Sequence, residues 1–405
     1  MSVYKLIKWV YDFLPESIRG SQPLIKLKSL FVKITQRQVE VESPKDELQD
    51  WFEQIWIPAL LEKEDNPVAD LRPRRMFSQP QAQKEKILII VDVPGWAHDL
   101  KTDNIIRCLN YIYDIEKVYC DRVEPEQIQT ADLIMIYYWL PLFNREQMHK
   151  IISALHKNKH KIVMGITSHR QLSGKYYEPG MCVLKELASG IFINNKLLME
   201  EYGDRFDVPV FYTPNGVDTE FFVPEENHEL AETLKIGWAG SRSNHGSLRG
   251  YDEFIVPAIN QCEGVELVTA AREDVWRNQE QMREFYQKLD FYICASSSEG
   301  TPNPCLEAMA CGIPVLSTPV GNMPDLIEPG VNGFFIKRDI QSITATIGQL
   351  RENRLLFNQL RRGARESIKS WDWKVQAINY QNMFKSVLRN NTFKDQAEFY
   401  HDAVS

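Results

Sequence analysis

The sequence lacks long apolar runs, paired cysteines and an excess of basic residues. None of its apolar runs approaches the ~20 residues that a membrane-spanning helix needs. Lys5 and Lys8 interrupt the first apolar stretch, which argues against a secretory leader. The seven cysteines are scattered singly, as is typical of reduced thiols in the cytosol. Because no Cys-x2-Cys pair occurs, a structural zinc site is not expected.

The 405 residues carry a formal net charge of −8, which is unevenly distributed. Residues 1–37 hold seven basic and two acidic side chains, a charge of +5, so the remainder carries −13. An acidic body argues against nucleic-acid binding, since a phosphate backbone requires a basic face. Apolar residues at 3–14 and 24–34 fall at helical spacing beside lysines, which predicts amphipathic helices. Contact of this arm with an anionic membrane and docking on a protein surface both stay open.

From residue 86 onward, short β-branched runs alternate with segments of helical periodicity. We predict strands at 87–91, 133–137, 161–166, 190–193, 234–238, 265–269, 291–295, 314–317 and 333–336, and helices at 103–113 and 145–157. Such alternation predicts an α/β fold in which parallel sheets are covered by helices. The turn-rich residues 213–218 interrupt it, so we expect two Rossmann-like domains, 86–218 and 219–371, facing a cleft. Residues 1–85 precede them as the arm and a proline-containing linker.

Residues 296–312 read as a strand end, a polar loop, a short helix and the turn to the next strand. Asn303 is a good N-cap with Pro304 at the first helical position, and Gly312 closes the helix. In a parallel sheet this loop lies at the carboxyl edge, where open α/β sheets bind ligands. The free amides and dipole of the helix start favour an anion such as a diphosphate.

Glu299 and Glu307 flank this predicted anion site. A carboxylate accepts two hydrogen bonds from a vicinal diol, and both a sugar ring and a ribose carry such diols. The alternative is that one glutamate decorates a loop and the other faces solvent. The combination of loop, cap and spacing favours diol binding by both glutamates. Together with the anion site, this predicts a binding site for a nucleotide sugar.

The segment EGTPNPCLEAMACGIPVLSTPVGN, with its Glu-x7-Glu arrangement, resembles the retaining glycosyltransferases of family four, or glycosyl transferases group 1. TPNGVD, IGWAGS and PDLIEPGVNGFFI extend the resemblance, and IIVDVPGWA and NNKLLMEEY match weakly. The resemblance implies the GT-B fold, two Rossmann-like domains with the donor in the second. It also implies that a helix in residues 372–405 crosses back to the first domain.

The resemblance assigns roles to the loop and helix start. Glu299 would hold hydroxyls of the transferred sugar and act in catalysis. The amides of Gly300, Thr301 and Asn303 would line the sugar and diphosphate. Glu307 would bind the ribose diol.

Positive charge for the leaving diphosphate is implied next to the first strand of the second domain. Gly240 would let backbone approach the phosphates. The family supplies an Arg and a Lys-Gly pair from the following loop. Here Arg249 stands for the lysine, and Arg242 matches the arginine with a displacement of one position. Arginine retains the chemistry because it binds phosphate bidentately.

The first domain would contribute the acceptor side of the reaction. His169, just past the strand at 161–166, is expected near the reacting carbon. Gly95 and Trp96 follow the first strand where the family has an acceptor loop. No Asp-x-Asp metal motif and no Gly-x-Gly-x-x-Gly occur there, so we expect catalysis without a bound metal or other cofactor.

The sequence thus predicts a retaining hexosyltransferase that moves a sugar from a nucleotide-sugar donor, UDP- or GDP-linked, to a glycan, glycolipid or lipopolysaccharide-type acceptor. We expect it in the cytoplasm, at a membrane face if residues 1–37 bind lipid. The alternatives are a GT-B nucleotide-sugar epimerase or phosphorylase, and a non-catalytic GT-B partner subunit. Intact Glu299 and Glu307 argue against the last.

Overall fold

The computed structural model describes residues 45–61, 84–226, 230, 232–243 and 246–402. The amphipathic stretches predicted within residues 1–37, and nearly all of the predicted linker, lie outside the described residues. The chain divides into two compact units, Met1–Ile55 and Trp56–Ser405.

The described helices begin with one in the first unit, and those of the second unit mostly alternate with strands. Their bounds are Lys45–Trp51 (α1), Ile57–Leu61 (α2), Ala97–Leu109 (α3), Pro125–Thr130 (α4), Leu140–Asn144 (α5), Glu146–Lys157 (α6), Tyr177–Leu187 (α7), Lys196–Tyr202 (α8), Gly246–Arg249 (α9), Val256–Asn260 (α10), Gln279–Gln287 (α11), Asn303–Ala310 (α12), Met323–Leu326 (α13), Ile340–Glu352 (α14), Arg354–Ile368 (α15) and Trp373–Asp402 (α16). Short 3-10 and π turns link them at Phe52–Trp56, Lys159–Lys161, His169–Leu172, Gly174–Tyr176, Tyr251–Ile255 and Lys369–Trp371.

Two parallel sheets form the framework, as the alternating pattern predicts. The first contains Lys86–Val91 (β1), Asp114–Tyr119 (β2), Leu133–Ile136 (β3), Ile162–Ile166 (β4), Gly190–Ile193 (β5) and Val210–Tyr212 (β6), in the order β2-β1-β3-β4-β5-β6. The second contains Leu234–Gly240 (β7), Val265–Ala271 (β8), Phe291–Cys294 (β9), Val315–Ser317 (β10) and Gly333–Phe335 (β11), in the order β11-β10-β9-β7-β8. All described strand pairs are parallel. The expectation of an α/β fold with two Rossmann-like sheets is confirmed; the limits assigned to the domains stay a prediction.

Three elements differ from the sequence-based expectation. β2 was not predicted because it is an edge strand whose charged residues leave only Val118 fully buried. β6, the other edge strand of that sheet, was not predicted; all three of its residues are only half-buried. α3 begins six residues earlier and ends four residues earlier than predicted. The carboxylate of Asp99 in its first turn accepts the amide of Gly95 at 2.7 Å, which fixes that start.

The last helix packs on the first sheet. Trp373, Tyr380 and Phe384 of α16 lie in one apolar cluster with buried residues of β1, β3 and β4. The hydroxyl of Tyr380 donates to the carbonyls of Thr213 and Pro214, at 2.8 and 3.4 Å, in the connection between the two sheets. The helix that was expected to cross back therefore both covers the first sheet and holds the linking segment. No helix within the described ranges is long and apolar enough to span a membrane.

Candidate active site

A cavity of about 330 Å³ lies at the carboxyl ends of β7, β8 and β9, beside the start of α3 from the first sheet. Among the predicted site residues, seven line it: Gly95, Gly240, Arg249, Glu299, Thr301, Asn303 and Glu307. The strands terminate there in residues that can bind ligands, as expected for an open parallel sheet. Of the residues predicted from the sequence, the cavity therefore joins both glutamates, one of the two arginines and, from the facing domain, Gly95.

Glu299 lies at the inner end of the loop that follows β9. Its Oε1 accepts a hydrogen bond from the Ser296 hydroxyl at 2.9 Å. Burial raises the pKa of this carboxyl, although Arg249, Ser296 and Arg170 act in the opposite direction. A buried carboxylate with one satisfied oxygen can accept further hydrogen bonds from hydroxyl groups in the cavity.

Glu307 occupies the second turn of α12. Its Oε2 accepts a hydrogen bond from the Tyr286 hydroxyl of α11 at 2.6 Å. Burial raises the pKa of Glu307 to about 7, while that hydrogen bond lowers it. Tyr286 orients the carboxyl and was not anticipated from the sequence, because it lies on another helix, 21 residues before Glu307.

The predicted N-cap at Asn303 is wrong by one position. α12 begins at Asn303 itself, with Pro302 as the capping residue and no side-chain cap. The Asn303 amide donates to the carbonyl of Thr301 at 2.9 Å, and its side chain accepts from Asn215 at 3.0 Å. The loop thus folds back on itself before the helix begins. Gly312 closes the helix in the left-handed region, at φ 74°, as predicted.

Gly240 leaves room for a guanidinium group. A side chain there would place its Cβ 2.7 Å from Nη1 of Arg249, which donates to the carbonyl of Ser241 at 3.3 Å. The glycine thus admits the arginine to the cavity wall. Arg242, the second predicted cation, forms an ion pair with Asp274 and is not among the residues lining the cavity.

Arg272 occupies the cavity wall where a second cation was expected. Its guanidinium lies 5.7 Å from the ring of Trp96 and 5.3 Å from that of Trp276, one ring from each domain. Burial and the charge of Arg249 lower its pKa. Both tryptophans remain exposed, at 43% and 60%. Arg272 directly follows β8, so its place at a strand end could have identified it.

Backbone of the first domain touches the loop of the second. A Cβ on Gly300 would lie 1.8 Å from the carbonyl oxygen of Thr167, so only glycine fits there. Asn195 donates to the Gly300 carbonyl at 2.8 Å, and Asn194 donates to Thr301 Oγ1 at 3.3 Å. Asn322 donates to the Asn194 carbonyl at 2.6 Å. Buried asparagines thus fix the loop from both sides.

Two histidines lie at the carboxyl edge of the first sheet. His169 begins the turn after β4, and its Nε2 is 3.1 Å from the carboxylate of Glu201. It is not among the residues lining the cavity. His98, which was not singled out from the sequence, contacts Asp92 and Thr167. Within the ranges that the structure describes, no three His, Cys, Asp or Glu side chains are grouped as for a metal ion.

Known proteins resemble the chain in sequence. Residues 275–367 match the family model Glycosyl transferases group 1. Over 305 residues the chain is 23% identical to an uncharacterised glycosyltransferase of Methanocaldococcus jannaschii, a match that covers 69% of this chain and 82% of that one. An N,N'-diacetylbacillosaminyl-diphospho-undecaprenol alpha-1,3-N-acetylgalactosaminyltransferase of Campylobacter jejuni is 22% identical, over 53% of this chain and 56% of its own. Four other curated relatives are matched over less than a third of their own length.

Solved structures show the same architecture. Sucrose-phosphate synthase from Thermosynechococcus elongatus superimposes with a TM-score of 0.58 at 13% identity, over 76% of this chain and 100% of that one. HepE from Anabaena, solved in complex with UDP and glucose, has a TM-score of 0.58 at 16% identity, over 75% and 100%. These likenesses identify the fold. The two facing sheets form a GT-B fold, and residues 275–367 of its second half match the Glycosyl transferases group 1 model.

Proposed function

We propose that the chain is a retaining glycosyltransferase of the family-four type, which transfers a sugar from a UDP- or GDP-linked donor to a hydroxyl acceptor. The observation that supports this most is the single cavity that Glu299, Glu307 and Arg249 line together beside the start of α12. Two diol-binding carboxylates on either side of an anion site correspond to the sugar, the diphosphate and the ribose of one donor.

The ribose lies against Glu307 in this proposal. Tyr286 donates to one oxygen of that carboxyl, and Glu307 lines the cavity. A pKa raised to about 7 means that the free carboxyl is partly protonated at neutral pH. Two ribose hydroxyl donors favour the ionised form, so nucleotide binding releases a proton.

The diphosphate lies between the start of α12, Arg249 and Arg272. The two guanidinium groups repel one another, since the charge of Arg249 lowers the pKa of Arg272. An anion between them removes that repulsion and receives bidentate hydrogen bonds. The same groups stabilise the charge that develops on the leaving diphosphate, and a resident metal is not part of the proposal.

The sugar lies against Glu299, with its anomeric carbon toward the first domain. Glu299 fixes the hydroxyls while positive charge develops at the anomeric carbon. The acceptor approaches from Gly95 and Trp96, and retention of configuration is carried over from the family resemblance. A polysaccharide or glycolipid acceptor is supported by curated relatives, which include a Vi polysaccharide biosynthesis protein of Salmonella typhi. Contact of residues 1–37 with an anionic membrane stays a prediction.

The experiment separates the two glutamates. Wild type, Glu299→Gln and Glu307→Ala are titrated with UDP, GDP and ADP by calorimetry. Nucleotide release is then assayed with UDP-glucose, UDP-N-acetylglucosamine and GDP-mannose, with oligosaccharides and extracted glycolipids as acceptors. Glu307→Ala should weaken nucleotide binding tenfold or more, because hydrogen bonds to a charged group contribute about 1.5–3 kcal/mol each. Glu299→Gln should depress turnover strongly and leave nucleotide affinity unchanged, because the free nucleotide has no sugar.

Glu284→Ala is the matched control, since this exposed glutamate lies on the same helix as Tyr286. It should behave as wild type in both measurements. If Glu307→Ala binds nucleotide as wild type does, the proposed donor pose is wrong. If both site variants retain full transfer, or the unaltered chain binds no nucleotide, the proposed function is wrong.

A further inference from the structure

The cavity extends beyond Glu307 along one face of α11. Gln279, Met282 and Tyr286 line it, and their spacing of three and four residues places them on the same side of that helix. Tyr286 donates to Glu307 at 2.6 Å, so it marks the end of this face that lies next to the proposed ribose position. Gln279 begins the helix, roughly 10 Å farther along its axis. With the diphosphate at the start of α12, this face is the part of the cavity that is left for the nucleobase.

Arg277 lies at the far end of this face. It precedes α11 by two residues and lines the cavity. Nη1 of its guanidinium group is buried and has no hydrogen-bond partner among the described residues. A buried donor without an acceptor costs free energy, so an acceptor that a ligand brings to this position would be stabilised.

The cap of α11 holds the backbone next to Arg277. The side chain of Asn278 accepts the amide of Gln281 at 2.9 Å, and the amide of Asn278 donates to the Gln281 side chain at 3.0 Å. This reciprocal capping box fixes the start of the helix. The arginine is therefore attached at a fixed point of the cavity wall.

Apolar side chains flank this part of the cavity. Met282 lies one turn before Tyr286 on α11, and the ring of Phe222 is 6.1 Å from that of Tyr286. Val275 precedes Arg277 by two residues, and Met282, Phe222 and Val275 all line the cavity. Apolar walls with one polar group suit a flat heterocyclic ring that carries hydrogen-bond acceptors.

The nucleobases differ in what they offer to a guanidinium group. Guanine presents two neighbouring acceptors, O6 and N7, which match two parallel donors of an arginine. Adenine has an amino donor beside N7, and uracil offers the single acceptor O4 on the corresponding edge. Because arginine has donors only, it favours guanine over uracil and disfavours adenine.

We propose that Arg277 binds the nucleobase of the donor and makes the chain select guanine nucleotides. This inference rests on the proposed transferase function and decides between its UDP- and GDP-linked donors. The guanidinium group donates to O6 and N7 of the ring, while Glu307 binds the ribose. Arg249 and Arg272 remain with the diphosphate.

Calorimetry of the full chain with GDP, inosine 5′-diphosphate (IDP), UDP and ADP tests the proposal at one salt concentration. GDP should bind at least tenfold more tightly than UDP, and ADP should bind most weakly. IDP retains O6 and N7 but lacks the 2-amino group of guanine, so its affinity should lie within threefold of that of GDP. The four ligands share one ribose diphosphate and differ only in the base, so this comparison does not depend on the folding of any variant.

Variants of Arg277 separate base recognition from attraction by charge. Arg277→Gln should lower GDP affinity at least tenfold and UDP affinity less than threefold. Arg277→Lys keeps the positive charge but loses the planar pair of donors, so most of the preference for GDP should disappear in it as well. Arg362→Gln, at an exposed position of α15, is the matched control and should bind all four nucleotides as wild type does.

Equal losses of GDP and UDP affinity in Arg277→Gln overturn the inference, because the arginine then contacts the diphosphate. A wild-type chain that binds UDP or ADP as tightly as GDP overturns it too, as does IDP that binds as weakly as ADP. These results leave the proposed function intact. A wild-type chain that binds none of the four nucleotides overturns the proposed function itself.

Discussion

The two sheet edges that face one another across the cleft are built in different ways. At the edge of the second sheet, Glu299 and Glu307 belong to one continuous stretch of loop and helix. At the edge of the first, Asp92, His98 and Thr167 come from the ends of β1 and β4 and from α3, and meet through hydrogen bonds. The residues of the second edge are close together in sequence, so we call it the local edge. Those of the first edge come from separate parts of the chain, so we call it the assembled edge.

This difference explains how well the residues of each edge can be recognised from the amino-acid sequence. The residues of a local site keep the same spacing along the chain in any sequence that forms the same loop and helix. An assembled site leaves no spacing to recognise, because the residues are brought together only by strand order. The two edges nevertheless share one boundary, where Thr167 of the first meets Gly300 of the second.

The largest effect is expected at the boundary. Gly300→Ala places a methyl group 1.8 Å from the Thr167 carbonyl oxygen, so the two edges must separate or the loop must move. Nucleotide release should fall at least a hundredfold, equivalent to about 3 kcal/mol. UDP affinity should fall much less, since Glu307 and Arg249 are not displaced. The measurements are steady-state release and calorimetry.

Gly348→Ala provides the comparison. A Cβ at Gly348, inside α14, meets no atom within 4 Å, and alanine favours a helix by roughly 0.8–1.0 kcal/mol. Release should remain at the wild-type rate while the thermal midpoint rises. Full activity in Gly300→Ala would show that the two edges need not touch during the reaction.

The assembled edge includes a buried lysine, which predicts a stability effect. Lys101 is 3% exposed, and its ammonium group has no hydrogen-bond partner among the described residues. Burial lowers its pKa to about 7, from 10.5. The unfolded chain therefore binds more protons between pH 7 and 10.5, and stability rises with pH across that window. Lys101→Met should raise the free energy of unfolding at pH 7 by about 2–4 kcal/mol, as judged from 1.36 kcal/mol per pKa unit.

Urea denaturation at pH 7 and pH 9.5 measures this effect. Wild type should gain stability between the two pH values, and Lys101→Met should lose that part of the gain. Lys385→Met, at an exposed position of α16, should change neither the midpoint nor the slope. A wild-type chain that loses stability over this interval would contradict the assigned cause.

Substitution of two arginines tests which cation of the local edge contacts the nucleotide. Arg249→Gln should weaken UDP binding about ten- to a hundredfold, because it removes a charge from the cavity wall. Arg242→Gln should change affinity less than twofold, because Arg242 pairs with Asp274 away from the cavity. Calorimetry in one buffer compares the two. Equal losses would mean that the loop rearranges around the nucleotide and that Arg242 enters the site.

The smallest effect is the pH dependence of nucleotide binding. The pKa of Glu307 is raised to about 7 in the free protein. Because the nucleotide binds to the ionised carboxylate, its binding at neutral pH releases a proton from Glu307. UDP affinity should rise up to tenfold between pH 6 and pH 8, with proton release detected by calorimetry in buffers of different ionisation enthalpy. Glu307→Gln should abolish that release. Proton release that persists in the variant would assign it to another group.

Much of the fold follows from the sequence because buried parallel strands are continuous apolar runs. β1, β5 and β9 were placed within one residue of their observed bounds for this reason. Edge strands such as β2 have half-exposed, charged residues and lose that signal. Within the site, the motif around Glu299 and Glu307 was recognisable. Tyr286 was not, since it meets Glu307 only when α11 packs beside α12.

The sequence pattern also does not reveal that a different arginine lies beside Arg249. The family spacing suggests Arg242, yet Arg272 takes the place beside Arg249 because β7 and β8 are adjacent in register, with Gly240 opposite Ala271. The residue after each strand end was the available signal. Applied to β1, β4 and β8, that rule would have selected Asp92, Thr167 and Arg272.

The asparagines that join the two domains have a consequence for the order of events. Opening the cleft must break the bonds from Asn195 to Gly300, from Asn194 to Thr301 and from Asn322 to Asn194. Contacts from the first domain to this loop are thus present only while the domains are together. Under the proposed function, a donor that enters an open cleft would meet the residues for the ribose and diphosphate in place, but a sugar-binding loop without these contacts. Recognition of the nucleotide would then precede discrimination among sugars, and closure of the cleft would set the kinetic selectivity.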